Sequence, residues 1–443
     1  MIDKLKTFLK RFPRHWVVAA SAWGSRIVSA SIQIISIRVL LTYLGEERYA
    51  VYVIAYSLSA WFSLCDCGIG MALQNFISES RAKNQSYDKY LKSTLQLITV
   101  LFFIFAVILF FVSPIAQNKL FEKFDSILEL QKINLIAIIG CILIATALVN
   151  IVYRVYYALQ KGYVSNILPA FSMIISMIAI VLLNRYYPVR GSILAALIVF
   201  TIPQLIVAFF PFIKIFKKFF SGIFIADSET LKKLALRSAK FWGFAIMSAA
   251  TLQIDYIIMS QTVSPEGITT YNIFNRFFLL ILFIHSAVLA AAWPLCTELF
   301  NKGSYGQIKS MIMKYTLFGI GITISGALLI FIFSDFIIKT LAPETSLNPP
   351  NIIFILFGVY FLLRVWSDTF AMFLQSINAL RIFWIYIPFQ AIISISAQYF
   401  LSLKYGITGI LAGLILSFAI TAAIVLPYKT WKVFKSKENI NAV

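Results

Sequence analysis

Long apolar runs, each of about eighteen residues or more, recur from one end of this chain to the other. Each can cross roughly 30 Å of hydrocarbon as a helix rising 1.5 Å per residue. Spans are expected near 16–43, 49–73, 94–116, 133–157, 166–186, 192–213, 239–261, 269–295, 313–334, 351–376, 382–403 and 407–428. Inside a bilayer every backbone N–H and C=O must find a partner within the protein, so only helices and closed β-barrels can cross. Barrel strands alternate apolar and polar residues, whereas these runs are apolar blocks. The expected fold class is therefore an all-α integral membrane protein of about twelve transmembrane helices. Composition enters only as agreement. Of 443 residues, 13% are charged and 60% hydrophobic, with a mean hydropathy of +0.86, where soluble domains carry about 25% charged residues. Too little chain lies outside the spans for a soluble enzyme, and none is expected.

The formal net charge of +20 would suit nucleic acid if it were clustered on one surface, but its placement explains it otherwise. With the N-terminus in the cytoplasm, about 26 of the 38 Lys and Arg residues fall on the cytoplasmic side, as the positive-inside rule requires. Both termini are expected there, and no nucleic-acid partner. The basic start, residues 1–16, is read as retained, because the apolar stretch after it is a full span containing Arg26. Cys65, Cys67, Cys141 and Cys296 make neither a disulfide framework nor a zinc site, so no metal is expected.

Residues 214–238 form the longest cytoplasmic segment and divide the chain into bundles of six spans, 1–213 and 239–443, with the segment itself as an amphipathic linker. Six crossings return a chain to the side it started from, so a repeat between the halves would be parallel. Within the linker Lys214, Lys217 and Lys218 alternate with Phe216, Phe219 and Phe220. That pattern suits helices lying on anionic lipid, or a positive-inside linker alone.

The informative residues are ionisable groups inside spans, each costing roughly 2.5–3.5 kcal/mol at a helix centre on insertion scales. Arg26 shares a helical face with Ser29, Gln33 and Ser36; Ser248, Thr251 and Asp255 form another polar stripe, and Tyr360, Arg364, Ser367, Asp368 and Gln375 a third. Asn272 and Arg276 share a face of span eight, with His285 on the opposite side. Such stripes need water or polar partners beside them. Two readings stay open: structural pairing, as between Arg364 and Asp368 four residues apart, or a wet cavity. Asp66 is either interfacial or functional, and His285 either a satisfied buried histidine or a proton relay. Four intramembrane arginines (Arg26, Arg38, Arg276, Arg364) against three aspartates bias the interior positive, which suits a phosphorylated anion. No G-x-x-x-x-G-K-[ST] loop is present. Active transport would therefore draw on an H+ or Na+ gradient rather than a cofactor, with Asp66, Asp255, Asp368 and His285 as ion-coupling candidates.

Residues 44–79, LGEERYAVYVIAYSLSAWFSLCDCGIGMALQNFISE, resemble the signature of Wzx-type polysaccharide flippases. Gly45, Tyr49, Tyr52, Asp66, Gly68 and Gly70 match an L-G-x-x-x-Y-G-x-Y-like turn and a span ending D-x-G-[IL]-G, with Ala50 where a glycine is common. The superfamily also holds multidrug exporters of the MATE type and lipid II flippases. The resemblance implies a MATE-like, V-shaped pair of six-helix bundles working by alternating access in the bacterial inner membrane. It also implies a cargo, undecaprenyl-pyrophosphate carrying an oligosaccharide repeat such as O-antigen, with a polymerase and a chain-length regulator of the same pathway as partners. Arg26, Gln33, Arg276, Tyr360 and Arg364 would then line the pyrophosphate and sugar cavity. The rival expectations are a MATE-like small-molecule antiporter, a lipid II flippase, and a membrane polymerase or glycosyltransferase.

Overall fold

The computed structural model describes residues 14–124, 134–186, 191–222, 227–343, 345, 347–379 and 381–441. Most of the basic N-terminal region and residues 223–226 of the linker therefore lie outside the described residues. Seventeen α-helices are used below. They are α1 (Arg14–Leu44), α2 (Glu46–Phe62), α3 (Ile69–Ala82), α4 (Asp88–Phe121), α5 (Leu135–Val149), α6 (Ile151–Ala158), α7 (Gly162–Tyr186), α8 (Ile193–Phe216), α9 (Ser228–Leu252), α10 (Asp255–Thr262), α11 (Pro265–Asn301), α12 (Tyr305–Ile332), α13 (Ser334–Leu341), α14 (Ile352–Ser376), α15 (Arg381–Tyr405), α16 (Ile407–Ile420) and α17 (Ala422–Asn441).

Among the described residues eleven helical segments are long and apolar enough to cross a membrane, and a twelfth is the bent pair Glu46–Asp66 with Ile69–Arg81, kinked by 44°. The all-α reading with about twelve spans is borne out. The chain divides into two compact units, Met1–Ile246 and Met247–Val443.

In the N-terminal unit α7 packs against α1 and α8. Their shared core holds Ile32, Met173 and Phe200, with Tyr56 against it. The kink in span two has a local cause. Cys67 and Gly68 both take left-handed backbone (φ 48° and 73°), which ends one helix and starts α3. The Asp66 carboxylate accepts the Gly68 amide at 2.8 Å and also the Gly70 amide, capping amides that α3 cannot satisfy itself. Gly68 also presses on α9, because a Cβ there would lie 2.5 Å from the Ser238 carbonyl oxygen and 2.9 Å from the Trp242 amide nitrogen. Arg237 on α9 completes the join with a 2.7 Å ion pair to Glu79 and a guanidinium 4.6 Å from the Phe76 ring centroid.

In the C-terminal unit α11 and α14 are joined by aromatic rings: Phe278 on Phe357 at 5.0 Å, Phe274 on Phe354 at 4.8 Å and Tyr271 on Phe357 at 5.4 Å. Such pairs add about 0.5–1.5 kcal/mol each beyond the area they bury. Span seven departs from expectation. It breaks at Gln253–Ile254 between α9 and α10, so the expected continuous stripe from Ser248 to Asp255 is interrupted and Asp255 opens a new helix. A break in a span is tolerated only where side chains re-satisfy the freed backbone. Here the Asp255 carboxylate accepts its own neighbour's amide, Tyr256 N–H, at 3.0 Å.

Candidate functional site: a buried charged network

Six of the nine candidate residues lie in the C-terminal unit, and the fold brings them into one network. Asp255, 7% exposed, accepts the Tyr271 hydroxyl at 2.7 Å. Tyr256 follows Asp255 on α10, and its phenol oxygen accepts the Asn272 amide at 2.8 Å. Arg276, one turn beyond Asn272 on α11 and half-buried, lies within electrostatic reach of Tyr256. α10 and α11 thus share a lattice of one carboxylate, two phenols, an amide and a guanidinium.

The second cluster sits on α14. Arg364 Nη1 donates to the Tyr360 hydroxyl at 3.1 Å. The guanidinium carbon lies 5.9 Å from the Tyr360 ring centroid and 5.4 Å from that of Phe418 on α16. Arg364 does pair with Asp368, but at 3.8 Å the contact is Coulombic and too long for a hydrogen bond. Its Nε is buried with no hydrogen-bond partner among the described residues. Five N–H donors in a rigid fork are therefore far from used by the protein itself.

The clusters interact. Tyr271 lies within electrostatic reach of Arg364, Asp255 of Tyr360, and Tyr386 on α15 of both Asp368 and Arg364. His285, fully buried, joins from the far face of α11. Its Nε2 meets the Thr369 hydroxyl at 3.1 Å. The same hydroxyl lies 2.9 Å from the Val365 carbonyl, so His285, Thr369 and the α14 backbone are linked. Nδ1 is buried with no hydrogen-bond partner among the described residues. The ring lies over Gly319 of α12, where a Cβ would come within 2.7 Å of it.

The other three candidates belong to the N-terminal unit. Asp66 caps α3 as described, with Arg154 of α6 close enough to interact. Arg26 is exposed, and Gln33 is half-buried two turns further along α1. Sequence reasoning missed one feature. Tyr386, Gln390, Ser394, Gln398 and Ser402 repeat at intervals of four on α15 and are all buried. Gln398 donates to Ser394 at 2.8 Å, and the Ser394 hydroxyl points to the Thr251 carbonyl, 3.5 Å away at the end of α9. The spacing was visible, but neutral polar side chains do not stand out among apolar ones as charges do.

Eleven to twelve candidate spans among the described residues, with a connected charged network on the spans of one unit, define a multi-pass membrane protein. The chain belongs to the polysaccharide biosynthesis protein family, whose model matches residues 19–300. It is 39% identical to a Yersinia pseudotuberculosis protein named as an O-antigen export protein, over 94% of this chain and 96% of that one. It is 37% identical to a Salmonella typhi protein named as an O-antigen transporter, over 98% and 99% of the two chains. The fold is similar to that of an inward-facing multidrug resistance transporter of the MATE family in the MOP superfamily (TM-score 0.76, 12% identity, covering 93% of this chain and 96% of the other). It is also similar to the lipid II flippase MurJ in an inward closed conformation (TM-score 0.70, 16% identity, covering 93% and 87%). The Wzx-type resemblance carried by residues 44–79 is borne out.

Proposed function

We propose that this protein turns undecaprenyl-pyrophosphate-linked oligosaccharide repeat units, O-antigen or a similar surface polysaccharide, from the cytoplasmic to the periplasmic leaflet of the bacterial inner membrane. The observation that carries the reading is Arg364. A guanidinium held between Tyr360 and Phe418, with its Nε–H unpartnered among the described residues, is a preformed fork for phosphate oxygens in a low-dielectric setting. Tyr360 fixes one donor and leaves the others to a ligand, and Arg276 supplies a second cation on α11. The curated relatives named for O-antigen export support the cargo class. Basic residues concentrated on one side of the spans support cytoplasmic termini. In this reading the pyrophosphate meets Arg364 and Arg276 of the C-terminal unit. The oligosaccharide follows the polar stripes, and the polyprenyl tail stays in lipid.

Turnover needs an energy source, and an H+ or Na+ gradient fits the network. Asp255 and Asp368 lie within electrostatic reach of the groups that hold Arg364, so loading either with a cation alters the field at the guanidinium. His285 is joined to the same helix, α14, through Thr369. A small-molecule antiporter with this fold would need carboxylates free to meet cationic drugs, whereas here Asp368 is paired with Arg364 and Asp255 holds the Tyr271 hydroxyl.

The test is deletion with complementation, scoring surface polysaccharide and lipid-linked repeat units retained inside. Loss of surface polysaccharide with trapped repeat units, restored by the wild-type chain, is the expected outcome. Normal display in the deletion strain would sink the assignment.

A further inference from the structure

Span twelve is not one continuous helix. α16 ends at Ile420 and α17 begins at Ala422. The Ile424 and Val425 amides both turn back to the Thr421 carbonyl, at 3.1 and 2.8 Å, so the hydrogen-bond ladder of α17 starts afresh there. Further along, Pro427 lies inside α17. A proline has no N–H, so the carbonyl four residues earlier, that of Ala423, loses its helical donor. Another span supplies the missing donor. The Trp366 indole of α14 donates its Nε1–H to the Ala423 carbonyl at 3.0 Å. Trp366 is half-buried and packs on Phe370, one turn along α14, with ring centroids 5.0 Å apart.

Trp366 follows Arg364 by two residues, so the two side chains leave α14 about 200° apart at 3.6 residues per turn. Span twelve meets both, one on each side of its break. Before the break, the buried Phe418 of α16 has its ring centroid 5.4 Å from the Arg364 guanidinium carbon. The same ring stands edge to face with Tyr360 at 5.6 Å. After the break, Ala423 accepts the Trp366 indole. The Thr421 hydroxyl bonds back to the Ser417 carbonyl, which ties the last turn of α16 to the break itself. A cation–π contact depends on the cation staying over the ring face, and nothing in the ring fixes that placement. A hydrogen bond is directional, and here it lies five residues beyond Phe418 in the same span.

We infer that Trp366 is a positioning residue for the Arg364 site: through Ala423 it fixes span twelve at its break and so keeps Phe418 on the guanidinium. The choice of a pyrophosphate as the ligand rests on the flippase reading; the placement of the ring does not. Pro427 creates the acceptor and Trp366 supplies the donor, so each residue accounts for the other. A phenylalanine at 366 would keep the packing on Phe370 but has no N–H to give. Phe418 would then lose its register against Arg364.

The experiment reads the ring directly. The full chain, carrying para-fluorophenylalanine in place of Phe418, is placed in nanodiscs for fluorine NMR, and its binding of farnesyl pyrophosphate is titrated by microscale thermophoresis. Trp366→Phe should shift or broaden the fluorine resonance and weaken binding about fivefold, the scale of a lost cation–π contact. Two further variants separate positioning from stability. Phe418→Leu should weaken binding by the same factor, and Trp366→Phe on top of it should add nothing, because the indole acts through that ring. Pro427→Ala returns an amide to the Ala423 carbonyl. Combined with Trp366→Phe, it should restore whatever Tm the single variant lost while binding stays weak. An unmoved fluorine resonance in Trp366→Phe, additive losses with Phe418→Leu, or binding recovered together with Tm in the Pro427→Ala pair would each overturn the inference. The wild-type chain separates the two levels. If it complements the deletion strain yet Trp366→Phe keeps wild-type resonance and binding, the positioning inference alone fails. If the wild-type chain neither complements nor binds farnesyl pyrophosphate, the flippase reading fails, and the fluorine resonance still decides the role of Trp366.

Discussion

The D-C-G-I-G stretch at 66–70 supplies a prediction whose size can be worked out, because its two glycines are required for different reasons. Gly68→Ala puts a side chain on left-handed backbone (φ 73°), which costs about 1–2 kcal/mol. The same Cβ would stand 2.5 Å and 2.9 Å from backbone atoms of Ser238 and Trp242 on α9. Backbone cannot swing aside as a side chain can, so overpacking adds about 1–3 kcal/mol. The sum is about 2–5 kcal/mol. For a unit of about 250 residues each kcal/mol moves Tm by about 2–4 °C, so Gly68→Ala should melt about 4–20 °C below wild type in detergent. Gly70→Ala is the control. Its Cβ would meet only side-chain atoms, Arg154 Cγ at 3.0 Å and Asp66 Oδ2 at 3.2 Å, and alanine within α3 gains up to about 1 kcal/mol over glycine. Its Tm should stay within about 3 °C of wild type. Differential scanning fluorimetry of the purified variants checks both. Equal melting of Gly68→Ala and wild type would refute the claim that the α3–α9 approach requires a bare backbone.

Arg364→Lys keeps the charge but loses the fork and the stacking on Tyr360 and Phe418, so complementation of surface polysaccharide should fall at least about tenfold at unchanged protein levels. Full complementation would refute the phosphate-fork role. Tyr271→Phe strips a donor from the buried Asp255 carboxylate and should destabilise the protein by about 1–3 kcal/mol, read by thermal unfolding; an unchanged Tm would mean that water or another group replaces the phenol at no cost. Gly319→Ala drives a methyl against the His285 ring and against Val365 Cγ1, 2.3 Å away. It should cost about 1–3 kcal/mol by overpacking, whereas Gly321→Ala, with nothing within 4 Å, should be neutral or stabilising.

Much of the candidate site was legible because charge inside a span is conspicuous. Arg364, Tyr360 and Asp368 share a helical face in the sequence, and they share it in α14. Asp255 and Arg276 were equally visible, but their company was not. Asn272 already shares a face with Arg276 in the sequence, but the bonds from Tyr271 to Asp255 and from Asn272 to Tyr256 cross the α10–α11 turn, while Tyr386 comes from α15, far along the chain. Asp66 shows the opposite difficulty. A carboxylate near a span end reads as a candidate ion carrier, and only the fold reveals that it holds the Gly68 and Gly70 amides at a kink. The break at Gln253–Ile254 left no mark in hydropathy, since an apolar window stays apolar whether or not its helix is continuous.

The sequence by itself determined that the chain is helical, how many times it crosses and which residues carry charge at depth, because hydrocarbon imposes those terms on each segment separately. Tertiary structure alone decided which charges meet, where spans two and seven bend, and that α12 and α14 leave an apolar groove between them. Each of those depends on atoms from different spans coming within a few ångströms, and the pattern along a single helix does not encode its neighbour.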